Sequence, residues 1–112
     1  MKRNTHNPPS HLRAETAKWW RTVVEAYELE AHHVRLLTLA GEAWDRCQQA
    51  RAQIDQHGLT TTDRYNNVKT RPEITIERDS RLAFARLIRE LDLDAEPPPA
   101  ARRPPALVSN RG

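Results

Sequence analysis

The side chains of this 112-residue chain that could do chemistry are few and poorly matched to one another. His32 and His33 are adjacent, and neighbours on a helix point about 100° apart, which is poor geometry for holding one metal ion. The sequence contains no His-Glu-x-x-His pair and no Gly-x-x-x-x-Gly-Lys phosphate loop, so neither metal-assisted hydrolysis nor ATP-driven motor work is expected of it. Glu25, Glu28, Glu30 and Glu42 fall mostly on the polar faces of helical patterns, where carboxylates are solvated rather than catalytic. Cys47, the single cysteine, excludes an internal disulfide and a Cys-based zinc cluster. It reads as a small core residue beside Trp44. Binding chemistry is what remains. Arg78, Arg81, Arg86 and Arg89 could track phosphates, but Glu77, Asp79 and Glu90 interleave with them, and a salt-bridged outer face is an equal reading. The Trp19-Trp20 pair could stack on bases, although packing in a core or between subunits is the commoner use of helical tryptophans. No catalytic residue, metal ligand or cofactor is expected, and the chain reads as a non-enzyme.

Charge sharpens the binding reading once it is located. The formal net charge is +3. Residues 1–13 carry Lys2, Arg3 and Arg13 with no acid, and residues 95–112 carry Arg102, Arg103 and Arg111 against Glu96. Residues 14–94 hold 12 basic and 14 acidic residues, so the middle of the chain is close to neutral and the surplus sits at the two ends. Basic arms can reach phosphates, because counterion release favours binding wherever Lys and Arg meet a nucleic-acid backbone. Short basic ends that merely aid solubility are the plain alternative. Neither an apolar leader nor a stretch of ~18 apolar residues is present, so no signal peptide, membrane span or membrane partner is expected.

The elements that must position these side chains follow from periodicity. Pro8-Pro9-Ser10 marks a helix start, with Ser10 as the candidate N-cap. Leu12, Thr16, Trp19, Trp20, Val23, Val24 and Tyr27 recur at helical spacing over residues 10–28, with Arg13, Lys18, Arg21, Glu25 and Glu28 on the other face. Arg21 and Glu25 stand four apart and can pair. A second helix is expected from Glu30 to His57, ended by Gly58 as its C-cap. Its stripe runs through Val34, Leu37, Ala40, Ala43, Trp44, Cys47, Ala50 and Ile54, and Ala40, Gly41 and Ala43 leave a small-residue patch suited to a close helix contact. Such a helix is about 40 Å long. It overhangs a lone small domain, so its apolar stripe is expected to be covered by self-association, with Leu37, Ala40, Gly41 and Trp44 as candidate interface residues. Residues 59–70, rich in threonine with Asp63 and Asn66-Asn67 suited to turns, predict a short hairpin that must pack on the helices or on a neighbour. Pro72 opens a third helix with Ile76, Ser80, Ala83, Phe84, Leu87, Ile88 and Leu91 as its apolar face. Pro97-Pro98-Pro99 and Pro104-Pro105 then define a tail expected to be disordered. The division is a basic arm over 1–9, a helical domain over 10–94 and a Pro/Arg-rich tail over 95–112.

This order of parts resembles the small subunit of a tailed-phage terminase over roughly residues 7–94. Trp19-Trp20 lies on the first helix, Ala43-Trp44-Asp45 on the second, and a hairpin precedes the third, which opens at Arg71-Pro72. The resemblance implies a mainly helical, non-catalytic subunit that assembles as a homo-oligomeric ring. It would bind double-stranded viral DNA in the cytoplasm of a bacterial host and present it to a large subunit with ATPase and nuclease activity. Carried over here, the basic arm and first helix would contact DNA through Lys2, Arg3, Arg13, Lys18 and Arg21. The second helix would build the ring, and the hairpin and third helix would join neighbours. Relatives often have Asn or His before the proline that follows the hairpin, and a helix-turn-helix with a basic recognition helix is not visible here. Two other classes fit the bare sequence: a dimeric DNA-binding regulator, which would read a spaced palindrome, and a helical adaptor without salt-dependent DNA affinity.

Overall fold

The computed structural model describes residues 7–93. Lys2, Arg3 and the tail lie outside them. Within them the order is α1 (Ala14–Ala26), α2 (Ala31–His57), β1 (Thr60–Thr62), β2 (Val68–Thr70) and α3 (Pro72–Leu91), the expected three helices with a hairpin between the second and third.

α2 and α3 form an antiparallel pair. Cys47 meets Glu77, Trp44 meets Phe84, and Leu37 shares a core cluster with Leu91, so residues rise along one helix as they fall along the other. Gly58 ends α2 with φ +87°, a conformation that favours a residue without Cβ. At the other end of α2 the Glu30 N–H donates to His33 Nδ1 at 3.2 Å, and the His32 ring stacks on His33 at 4.1 Å. The histidine pair therefore serves the helix start.

α1 begins later than its sequence pattern suggests, and Ser10 does not cap it. Residues 10–12 instead form a turn, with the Leu12 N–H donating to the Pro9 carbonyl at 3.2 Å. The helix start is satisfied from across the fold. The Asp45 carboxylate of α2 accepts the Arg13 N–H at 2.8 Å and the Thr16 hydroxyl at 2.5 Å, and Asp45 is itself buried. A negative charge at a helix N-terminus is well placed, because the first N–H groups point outward without helical partners. Trp20, 1% exposed, completes the junction by donating its indole N–H to Thr38 Oγ1 at 3.1 Å. The two adjacent tryptophans part as their spacing requires, and Trp19 turns toward Phe84 of α3.

This packing reassigns most of the small-residue patch on α2. Leu37 and Ala40 are fully buried within the protomer. A Cβ on Gly41 would stand 3.1 Å from Thr16 Cγ2 and 3.4 Å from the Leu12 methyls, so the glycine admits the start of α1. Leu37, Ala40 and Gly41 are thus spent on the protomer's own core and offer no face to a neighbour. Trp44, 43% exposed, alone of the four candidate interface residues reaches the surface.

α3 is rolled relative to its expected apolar face. Glu73, Glu77, Ser80, Phe84, Leu87 and Leu91 turn toward α2, while Ile76, Ala83 and Ile88 are exposed. Only Leu91 on this helix is buried. The hairpin pairs Thr60 with Thr70, Thr61 with Lys69 and Thr62 with Val68, and all six residues are exposed. Packing of the hairpin on the protomer's helices is therefore not what the fold shows.

Candidate nucleic-acid interface

A duplex is held first through its phosphates, so the candidate surface is wherever cations are both exposed and uncommitted. Arg13, Lys18 and Arg21 are all exposed on the outer side of α1 or at its start. The three are displayed this way because Thr16, Trp20, Val23 and Val24 turn the other side of the helix into the core. Among the described residues none of the three forms an ion pair, and the expected Arg21–Glu25 pair is not made.

On α2, Arg35 and Arg46 are likewise exposed and form no ion pair among the described residues, whereas several other cations are engaged. On the hairpin, Lys69 Nζ lies 3.6 Å from Asp63, Arg64 stacks over the Tyr65 ring at 5.2 Å, and Arg71 Nε stands 3.4 Å from Glu73 Oε1 without hydrogen-bond geometry. On α3, Arg81 makes a two-pronged contact with Glu77 at 3.0 and 3.2 Å, and Arg78 lies 3.6 Å from Asp79. Glu77 is held below the ordinary carboxylate range, chiefly by the Arg81 hydrogen bonds. Cys47 donates to the same carboxylate at 3.6 Å, and burial, followed by the Glu77 charge, raises its thiol above the usual range. That thiol is poorly activated as a nucleophile.

Arg86 and Arg89 are the exception on α3: both are exposed, and among the described residues neither meets a carboxylate. Interleaving with Glu90 made them look paired in sequence, yet Glu90 reaches neither. Arg89 lines a cavity with Trp19 and Val23 of α1, so this cation lies beside α1. Lys2 and Arg3 fall outside the described residues.

Among the described residues no group of three His, Cys, Asp or Glu side chains is placed to hold a metal ion, and no helix is long and apolar enough to cross a membrane. The described region is a small, mainly helical unit with a short hairpin. The phage terminase small subunit family matches residues 16–103, and the chain belongs to that family. No curated protein and no solved structure matches it. Membership gives the chain a role in phage DNA packaging, an event of the infected host's cytoplasm, within a family that is generally the non-catalytic component.

Proposed function

We propose that the chain is the subunit that binds double-stranded viral DNA and presents it to the large terminase subunit, performing no chemistry itself. The observation that carries this is family membership across residues 16–103. The uncommitted cations of α1 support it: Arg13, Lys18 and Arg21 form the DNA-contacting face, extended by Lys2 and Arg3 of the arm and flanked by Arg86 and Arg89. A single two-stranded hairpin with both edges open and an α3 with one buried residue make a poor lone protomer, so the working form is a homo-oligomer, in keeping with a ring. Its contacts draw on Leu39, Ile76, Leu82 and the hairpin, which are exposed apolar or open-edged, rather than on Leu37, Ala40 and Gly41. Several copies on one duplex would multiply weak contacts through effective concentration.

Reconstitution with the cognate large subunit and linear duplex tests the reading. The chain should bind the duplex alone, form a ternary complex when the large subunit is added, and show no magnesium-dependent turnover of ATP or DNA by itself. Light scattering should give a mass above that of a dimer. Failure to bind duplex at low salt, together with no association with the large subunit, would contradict the packaging assignment. A dimer confined to palindromic sites would instead favour a regulator.

A further inference from the structure

A cleft of about 260 Å³ opens between α1, α2 and α3, lined by Trp19, Trp44 and Phe84 together with Glu15 and Thr16 of α1. Phe84 stands between the two tryptophans, its ring 6.1 Å from Trp19 and 5.1 Å from Trp44, and the ring planes are tilted by 53° and 55°. The three rings thus make a curved wall rather than a stack. Trp44 is exposed and the other two rings are half-buried, and an apolar area of this kind marks a surface where something binds.

We propose that this cleft binds the arginine side chain of a different protein. Charge identifies the ligand. Glu15 is exposed and forms no ion pair among the described residues. Behind Thr16 stands Asp45, which accepts the Thr16 hydroxyl at 2.5 Å and likewise has no cationic partner among the described residues. No cation lines the cleft. The arginines nearby are held elsewhere: in the adjoining cavity beyond Trp44 and Phe84, Arg81 is locked by Glu77 and Arg51 lies 3.4 Å from Asp55. Arg89 lines the cavity beyond Trp19, and the cation–π contact of the described residues is made by Arg64 on the hairpin instead. Aromatic rings beside unneutralised carboxylates attract a cation, and a guanidinium, planar and weakly hydrated, can lie on a tryptophan while donating to a carboxylate. The same carboxylates oppose a nucleobase, whose phosphates carry charge of their own sign. The volume lies below the roughly 300–1,000 Å³ of small-molecule pockets and suits a single side chain. Leu39, Ile76 and Leu82, assigned above to contacts between copies, line no part of the cleft, and the choice of a different protein over a second copy rests on that assignment.

The test uses the full chain grown with 5-fluorotryptophan, whose fluorine resonances report Trp19, Trp20 and Trp44 separately. It is titrated at constant ionic strength with N-acetyl-arginine amide, with the citrulline amide (the same shape without the charge) and with the leucine amide. The arginine amide should move the Trp19 and Trp44 resonances saturably and bind about tenfold tighter than either neutral amide. Trp20, buried in the core, should stay in place and so reports an intact fold. Glu15→Gln, a surface change, should weaken the arginine amide about threefold and leave the citrulline amide unaltered. Equal affinity for the three amides, no movement of Trp19 and Trp44 by any of them, or an unaltered arginine affinity in the Glu15→Gln variant would each overturn the proposal. Trp19 and Trp44 resonances that move on dilution of the parent alone would also overturn it, because a second copy would then cover the cleft. None of these readouts depends on DNA, so the cleft and the packaging assignment can fail separately.

Discussion

Asp45 is the residue on which the seating of α1 on α2 turns. Its buried carboxylate serves both the Arg13 N–H and the Thr16 hydroxyl, and through them fixes where α1 starts on α2. Asp45→Ala leaves the buried Thr16 hydroxyl and the part-buried Arg13 N–H without their acceptor, and a buried loss costs about 1–3 kcal/mol, so the protomer should lose about 2 kcal/mol in urea unfolding at fixed concentration. Asp45→Asn keeps an acceptor and should recover part of that loss. A change below about 0.5 kcal/mol in the alanine variant would mean that the cap is not structurally important. Gly41 acts at the same junction. Gly41→Leu forces a branched side chain against Thr16 and Leu12, and the expected outcome is an unfolding midpoint lowered even at concentrations where only protomer is present. If only the assembled mass fell, with protomer stability intact, the glycine would belong to a subunit contact instead.

Among the elements, the hairpin is the least supported by packing and the most dependent on a single side chain. Asp63 accepts the N–H groups of Tyr65 and Asn67 at 2.8 and 2.9 Å, and lies 3.6 Å from Lys69. These contacts, the Asn67 N–H foremost, hold its carboxyl below the ordinary value of 3.8. A depressed folded value means the contribution is present above the unfolded value and disappears as pH falls through the folded one. Amide exchange in Thr60–Thr70 should therefore quicken below about pH 4 in the parent, relative to the intrinsic rate. Asp63→Ala should show the faster exchange already at neutral pH. Equal protection factors in the two proteins across this range would remove Asp63 from its assigned role. The legibility of the elements follows the same division between local and distant causes. Gly58, Pro72 and the helix from Glu30 were readable because their signals lie within the segments they shape. Ser10 misled because the start of α1 is capped by Asp45, 32 positions from Arg13 and thus invisible to local pattern. The roll of α3 was equally hidden: apolar residues occupy two neighbouring rows of the helix, and Glu77 turns inward only because Arg81 and Cys47 meet its carboxylate. The α1 cations were legible as a polar face, whereas the free state of Arg86 and Arg89 depended on Glu90 failing to reach them.

At the scale of the whole molecule, Arg13, Lys18 and Arg21 lie on or beside α1 while the exposed Leu39, Ile76 and Leu82 lie on α2 and α3, which lets one protomer meet its copies and a duplex through different helices. Leu39 and Trp44, five residues apart on α2, point about 140° from each other, so a contact through Leu39 leaves the side on which Trp44 meets Phe84 free. The direct measurement is a titration of labelled duplex at several salt concentrations, comparing the parent chain with Arg13→Ala, Lys18→Ala and Arg21→Ala combined. Three phosphates neutralised per engaged subunit correspond to a slope of log K against log salt near about −3, and the triple variant should bring that slope close to zero while keeping the parent's helicity and mass. An unaltered slope in a folded, correctly assembled variant would contradict a DNA-contacting face on α1.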